Sequence, residues 1–117
     1  MSLSHFALTV STVLALSVGQ IFFKLAARDL LGAGPLARLL LTSQYLWIAL
    51  CVYGVATALW IGLLRQVPLR VAYPFVALAF VFVPILGHFF LGESLRWQSL
   101  LGALVIMLGV WISVGLE

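Results

Sequence analysis

The stretch HFALTVSTVLALSVGQIFFKLAA, residues 5–27, decides the fold class, because Lys24 is its one charged side chain. A helix of about 20 apolar residues crosses the hydrocarbon core of a bilayer, which is about 30 Å thick. Three further apolar runs follow at residues 45–64, 71–91 and 97–116, with charged residues between the runs. The sequence therefore predicts an all-α protein, a bundle of four transmembrane helices that forms one domain over residues 1–117.

The composition agrees with this prediction. Hydrophobic residues make up 65% of the chain and charged residues only 8%, and the mean hydropathy is +1.27. A soluble domain carries roughly 25% charged residues, so the composition excludes a soluble globule. A membrane β-barrel would show alternating segments of about 10 residues, which the sequence lacks. Four spans in 117 residues leave no room for a soluble catalytic domain, and we expect no enzyme.

The residues that bind metals and cofactors are few and far apart. His5 and His88 fall at opposite ends of their spans, and Cys51 is the single cysteine. We expect no metal, no cofactor and no disulfide, and we expect Cys51 to be a buried structural thiol. The net charge of +3 is divided among helix ends, which is typical of contact with membrane lipids and not of a nucleic-acid surface.

Polar residues in the first span lie on one side of the helix. At about 100° per residue, the polar stripe falls within about 80° of the wheel and contains Thr9, Ser17, Gln20 and Lys24. These side chains either pack against other helices, with the Lys24 amine reaching up to the membrane surface, or face a cavity and bind a ligand. Both interpretations stay open from the sequence.

The third span shows a comparable face, which contains Tyr73, Ala77, Phe80, Pro84 and His88. Pro84 removes a main-chain hydrogen bond in mid-span, so a kink or local opening is expected there. Tyr73 is either an aromatic residue at the membrane interface or a ligand contact. His88 is either a hydrogen-bonded structural residue or a proton carrier.

The alternating direction of the spans sorts the charged residues between two ends of the membrane. End B contains Lys24, Arg28, Arg38, His88, Glu93 and Arg96, and end A contains Arg65 and Arg70. This excess of cations weakly favours end B in the cytoplasm. A structural ion pair between Lys24 and Glu93 would neutralise both side chains and would compete with a role of Lys24 in ligand binding. Gly102 and Gly109, seven residues apart in the fourth span, indicate a helix used for packing or dimerisation.

Four segments carry a resemblance to a known family: GQIFFK (19–24), VPLRVAYPFVALAFVFV (67–83), GE (92–93) and GALVIMLGV (102–110). Together they resemble the drug/metabolite transporter superfamily, and four spans in 117 residues match its small multidrug resistance branch. The patterns Gly-Gln-x-x-x-Lys and Val-Pro-x-x-x-Ala-Tyr-Pro look most like the subunits of the lipid-linked aminoarabinose flippase. The resemblance covers most of the chain and is weakest over residues 28–44.

One departure from the exporters distinguishes the branches. The drug exporters carry a membrane-embedded glutamate in the first span, and the resemblance places Leu16 at that position. Their binding tryptophan in the third span corresponds to Val76, and their tyrosine to Tyr73. Because a lipophilic cation without a counter-charge is disfavoured in a low dielectric, a proton-coupled cation exporter is not expected.

The resemblance implies a subunit that flips an undecaprenyl-phosphate-linked (amino)sugar across the bacterial inner membrane. Phosphate is recognised by Lys and Arg, and the chain has such residues at both ends of the membrane. The candidate substrate-binding residues are Lys24 for the phosphate, Gln20 and Tyr73 for the sugar, His88 beside them, Glu93 to orient the basic cluster or bind an amino group, and Arg28 and Arg70 as further cations.

Four thin helices enclose little space, so the expected partners are membrane lipids, the polyprenyl-phosphate-linked sugar, and a second subunit in a homodimer or a heterodimer with a paralogue. Two alternatives stay open. One is a small-molecule exporter of the multidrug type, and the other is a non-transporting subunit that assembles a larger complex.

Overall fold

The computed structural model describes residues 2–29 and 34–115, without the side chain of Leu39. The elements are α1 (Leu3–Asp29), α2 (Leu36–Thr42), α3 (Gln44–Leu64), α4 (Leu69–Ala72), a 3-10 segment (Tyr73–Leu78), α5 (Ala79–Leu91) and α6 (Trp97–Gly115). Four spans are long and apolar enough to cross a membrane, namely α1, α3, Leu69–Leu91 and α6. The four predicted spans are confirmed. Their ends differ from the predicted ones by a residue or two, and residue 116 lies outside the described part.

The first helix, α1, contacts both α3 and the third span, while α6 packs against the third span. At end B, the guanidinium of Arg28 donates a hydrogen bond to the carbonyl oxygen of Leu91 over 3.2 Å. At end A, a hydrogen bond of 2.5 Å joins His5 Nε2 to Gln66 Oε1. The first bond joins the ends of two spans that run in the same direction, and the second joins antiparallel neighbours, as the alternating direction of the spans predicts.

The connection between the first two spans contains a short helix, α2. Ser43 ends this connection and caps α3, because its hydroxyl oxygen accepts a hydrogen bond from the main-chain N–H of Leu46. The same hydroxyl donates to Asp29 Oδ2 over 3.1 Å. The end of α1 and the beginning of α3 are therefore joined directly at end B.

The helices pack through narrow stripes, so much of each helix surface faces the bilayer. On α3 the buried residues are Ala49, Ala56 and Leu63, which repeat every seven residues. Cys51 falls off this stripe and is exposed. The prediction of a buried thiol was wrong because only one side of α3 is covered by protein.

Three hydroxyls of α1 are buried and bond to the carbonyl four residues earlier in the same helix. Thr9 donates to His5 (2.7 Å), Thr12 to Leu8 (2.8 Å) and Ser17 to Val13 (2.8 Å). Such bonds satisfy a hydroxyl in a dry environment without a partner helix. Within the polar stripe of α1, the Ser17 hydroxyl therefore bonds to its own helix, whereas the Gln20 amide bonds to Tyr53 of α3.

The third span is irregular at its beginning. Pro74 has no N–H to donate to the carbonyl of Arg70, and the chain tightens into a 3-10 turn over Tyr73–Leu78. Pro84 lies inside α5, which runs on as an α-helix to Leu91. The expected mid-span irregularity thus precedes Pro84 and accompanies the other proline of this span.

The fourth span uses a different face from the one its glycines indicate. Ala103 and Val110 are its buried residues. Gly102 and Gly109 are exposed, and a Cβ added at either would meet no atom within 4 Å. The glycine face of α6 is therefore not used for packing within the described chain.

The closest approach of α1 and α3 gives a first prediction. A Cβ at Gly19 would lie 2.5 Å from Cδ2 of the Tyr53 ring. We expect Gly19→Ala to displace that ring and to destabilise the protein by about 1–3 kcal/mol, measured by thermal or denaturant unfolding of the purified protein in detergent. Gly54→Ala is the matched control because a Cβ there meets no atom within 4 Å. A Gly19→Ala protein as stable as this control would show that the contact does not limit helix packing.

Candidate functional site

A crevice opens between α1, α3 and the 3-10 segment. Its volume is about 200 Å³, and the residues that line it are Leu16, Tyr53, Ala56, Thr57, Trp60, Tyr73 and Val76. None of these side chains carries a formal charge. Two positions that the family resemblance singled out, Leu16 and Val76, both line this crevice.

The wall that α3 contributes was missed by the sequence analysis. Tyr53, Thr57 and Trp60 follow one another at the spacing of one helix face, and all three line the crevice. The Thr57 hydroxyl donates to the Tyr53 carbonyl over 2.7 Å. The signal was present in the second span as two aromatic residues and a hydroxyl on one side of the helix.

The 3-10 segment places Tyr73 at the crevice. In a 3-10 helix the side chains at positions i and i+3 eclipse each other, so Tyr73 and Val76 point the same way, and both line the crevice. A regular α-helix would have put Ala77 there, as the sequence analysis expected. Tyr73 is 62% exposed, and its ring centroid lies 6.5 Å from that of Trp60.

Gln20 lies between the crevice and an adjoining hollow. Its amide donates a hydrogen bond to the hydroxyl of Tyr53, a crevice residue. Gln20 also lines a hollow of about 320 Å³ between α1 and α5, together with Ala79, Phe80, Val83 and Pro84. The Gln20–Tyr53 bond therefore stands where the two hollows meet.

Lys24 lies one turn beyond Gln20 and is exposed. Over residues 2–29 and 34–115, no ion pair within 4.0 Å links its amine to Glu93. The structural pair that the sequence analysis weighed is absent there, and the amine has no hydrogen-bond or ionic partner in the described chain. Lys24 is thus available to an anion at end B.

The other candidates at end B hold the end of α5. Gly92 ends this helix in the left-handed conformation (φ 71°), and the Glu93 main-chain N–H donates to the Gly87 carbonyl over 3.3 Å. Nδ1 of His88 lies 2.9 Å from the Glu93 carbonyl oxygen. This hydrogen bond agrees with the structural one of the two interpretations of His88.

The side chains of Glu93 and Arg28 lie against the main chain of the third span. Glu93 takes part in the helix end through its main chain, while its carboxylate lies over buried Gly87, with Oε1 3.1 Å from where a Cβ would be. Arg28 is held by the Leu91 carbonyl. The structure therefore does not gather Lys24, Arg28, His88 and Glu93 into one cluster of paired charges.

Arg70 lies at end A, beside a groove that adjoins the crevice at Tyr73. This groove of about 450 Å³ is lined by Leu69, Arg70, Tyr73 and Pro74. Tyr73 lines both this groove and the crevice. A row of hollows thus runs from Gln20 past Tyr73 to a cation at end A.

The fold and the crevice define a class of protein, a small multi-pass membrane protein with an uncharged intramembrane crevice. The chain matches the EamA-like transporter family over residues 2–115. It belongs to this family of transporters.

Relatives of known description match nearly the whole chain. The probable 4-amino-4-deoxy-L-arabinose-phosphoundecaprenol flippase subunit ArnE of Yersinia pestis (strain Pestoides F) is 36% identical over 109 residues, which cover 92% of this chain and 94% of the relative. The protein of the same name from Pseudomonas paraeruginosa (strain DSM 24068 / PA7) is 36% identical over 107 residues, 89% of this chain and 91% of the relative. That of Yersinia pseudotuberculosis serotype O:3 (strain YPIII) is 39% identical over 94 residues, 80% and 81% of the two chains. No solved structure matches the chain.

The bond between Gln20 and Tyr53 gives a prediction about stability. Tyr53→Phe removes only the hydroxyl that accepts this bond, and Gln20→Leu removes the donor. Polar bonds between membrane helices contribute about 0.6 kcal/mol on average, and we expect a double-mutant cycle of the two substitutions to give a coupling energy of that order. The measurement is unfolding in mixed micelles, with Thr57→Val as a crevice control that leaves this pair intact. Strictly additive effects would mean that the two groups do not interact in the membrane.

The absence of a Lys24–Glu93 pair gives a further prediction about stability. Because no such pair is present and Glu93 acts through its main chain, Glu93→Gln should change the free energy of unfolding by less than about 0.5 kcal/mol. Gly92→Ala is the comparison, since a non-glycine residue in the left-handed conformation costs about 1–2 kcal/mol. A loss on Glu93→Gln that vanishes in a Lys24→Gln background would reveal an ion pair after all.

Proposed function

We propose that this protein is a subunit of a flippase that moves an undecaprenyl-phosphate-linked aminoarabinose, or a similar aminosugar, across the bacterial inner membrane. The observation that carries the proposal is the unpaired amine of Lys24, about two turns of α1 beyond Leu16 of the uncharged crevice. The relatives, which are named as probable flippase subunits for such a lipid, support it.

Lys24 is the contact for the phosphate. Two opposite unit charges 4 Å apart near a protein surface attract each other by about 4 kcal/mol. An ammonium group also offers three hydrogen-bond donors to phosphate oxygens. Lys24 has no protein partner to give up in the described chain. A phosphate arriving at end B therefore gains an ion pair without breaking one.

The crevice receives the sugar. Tyr53, Trp60 and Tyr73 offer apolar ring faces with a polar group at the rim, which suits a sugar ring with C–H faces and hydroxyl groups at its edge. Gln20 and Tyr73 exchange hydrogen bonds with sugar hydroxyls as the headgroup passes. The polyprenyl chain stays in the bilayer and does not enter the protein.

The two ends of the path have different tasks. Glu93, which is exposed, binds the amino group of the sugar at end B. Arg70, which shares a groove with Tyr73, meets the phosphate when it reaches end A. The phosphate then has a cation at each membrane surface, and the headgroup crosses the uncharged middle between them.

A second subunit closes the crevice. The crevice is bounded by α1, α3 and the third span of one chain, while α6 leaves Gly102 and Gly109 uncovered. A second copy or a paralogous subunit supplies the facing wall. Its contact with α6 follows from the closeness that glycines allow between membrane helices.

The test is translocation of an aminosugar-linked undecaprenyl phosphate in vesicles that contain the protein, alone and together with a paralogous subunit. We expect Lys24→Gln to lower the initial rate by about tenfold or more, equivalent to about 1.4 kcal/mol, and Tyr73→Phe to lower it less. Arg38→Gln is the matched control, because Arg38 is an exposed end-B cation on α2 outside the path. Unchanged rates in both Lys24→Gln and Tyr73→Phe would remove these residues from the path.

The two rival functions predict other results. An exporter of the multidrug type would release protons from the purified protein when a lipophilic cation is added, and with Leu16 in the crevice we expect none. A non-transporting assembly subunit would cross-link only into a heteromer, and the rate of that heteromer would not respond to Lys24→Gln. Proton release that depends on added cation would decide against the flippase.

A further inference from the structure

A further hollow lies on the opposite side of α1 from the crevice. Its volume is about 260 Å³, and it is lined entirely by apolar side chains, Val18, Ile21, Phe22, Leu25, Leu86 and Phe90. Val18 and Leu16 are separated by about 200° on the helical wheel, or about 160° the shorter way round. This apolar groove between α1 and α5 therefore does not belong to the row of hollows that contains Gln20 and Tyr73.

A cation lies at the end-B edge of the apolar groove. Arg28 follows Leu25 by one turn of α1, and its Nη2 donates to the carbonyl oxygen of Leu91, the residue after Phe90. The guanidinium group has five N–H donors, and in the described chain the bond to Leu91 is the one that it makes. The bond holds Arg28 across the end of the groove with most of its donors unused.

We propose that the apolar groove and Arg28 form a binding site for an anionic phospholipid of the surrounding bilayer. An acyl chain occupies the groove between Phe22, Leu25 and Phe90, and the lipid phosphate accepts hydrogen bonds from Arg28. Guanidinium and phosphate match in geometry and in charge. Basic sites between transmembrane helices are suited to anionic headgroups.

The position of the groove separates this lipid from the transported one. Cargo that uses Lys24 and Gln20 runs along the opposite side of α1, and α5 and α3 flank that helix on either side. A lipid held behind α1 remains in place while cargo passes in front. It fills the space between α1 and α5 at end B and thereby supports the helix that carries Gln20 and Lys24.

The experiment is lipid-dependent thermal unfolding of the purified, delipidated full chain in detergent. The two probes are phosphatidylglycerol and phosphatidylcholine of the same acyl chains. A ligand that binds the folded protein raises its unfolding temperature. We expect phosphatidylglycerol to raise it more than phosphatidylcholine does, and Arg28→Gln to abolish most of this difference.

Two sets of control variants distinguish binding at this site from a general attraction between basic residues and anionic lipid. Arg38→Gln, which removes an exposed cation of the same membrane end, should keep the full response to phosphatidylglycerol. Val18→Phe should fill the groove and reduce the response to both lipids, while Leu104→Phe on the exposed surface of α6 should not. Native mass spectrometry of each variant should show retained phosphatidylglycerol in parallel with these shifts, which also reports on any variant with altered stability.

Three results would overturn the proposal. One is an equal response to the two lipids in the unmodified protein, and another is an undiminished preference for phosphatidylglycerol in Arg28→Gln. The third is displacement of bound phosphatidylglycerol by an equal amount of undecaprenyl phosphate, which would give the groove to the cargo. None of these results depends on the rate of translocation, so a failed flippase assay and a failed lipid site are told apart.

Discussion

The packing of α1 on α3 depends on the missing side chain at Gly19. Because no Cβ is present there, the ring of Tyr53 lies directly against the first helix. This position brings the Tyr53 hydroxyl within reach of Gln20, and Phe23 packs on the same ring with centroids 5.0 Å apart. One glycine thus determines how closely the first two spans approach and where the floor of the crevice lies.

The central position of α1 explains why its sequence differs from face to face. One side carries Leu16, Gln20 and Lys24 along the hollows, and the opposite side carries Val18 and Leu25 along the apolar groove. The buried hydroxyls between them bond within the helix, so they add small volume and no unmet polar groups. A single helix therefore lines the hollows of the proposed cargo path on one side and the apolar groove of the proposed lipid on the other.

Hydropathy was sufficient to predict the spans, because length and apolar content alone determine whether a helix crosses a bilayer. The site was less predictable, since side-chain neighbours depend on which helix faces which. Gln20 and Tyr73 were predicted from the sequence and do lie along the hollows, whereas Tyr53 and Trp60, which line the crevice from α3, were not predicted. Site residues of this kind are hard to recognise in the sequence of a hydrophobic span, because aromatic side chains suit lipid and protein contacts equally well.

Local geometry changed other expectations in identifiable ways. The wheel of a regular helix placed Ala77 on the face of Tyr73, whereas the 3-10 turn after Pro74 places Val76 there. Opposite charges at one membrane end suggested a Lys24–Glu93 pair. The main chain of Glu93 instead makes hydrogen bonds at the end of α5. The position of Glu93 near the membrane surface does not predict whether its main chain or its carboxylate makes these contacts.

The distribution of charge that results limits how the proposed cargo can move. Lys24 lies five residues before the end of α1 at Asp29, about 7.5 Å along the helix axis, so its flexible side chain can extend its amine to the headgroup level. The phosphate is therefore met at the surface and not in the crevice, where no opposite charge would offset its loss of water. A crossing then requires release from Lys24 at one end and capture at the other, where Arg70 adjoins Tyr73. Two separated cations with an uncharged region between them permit release, whereas a cation in the middle of the path would hold the phosphate there.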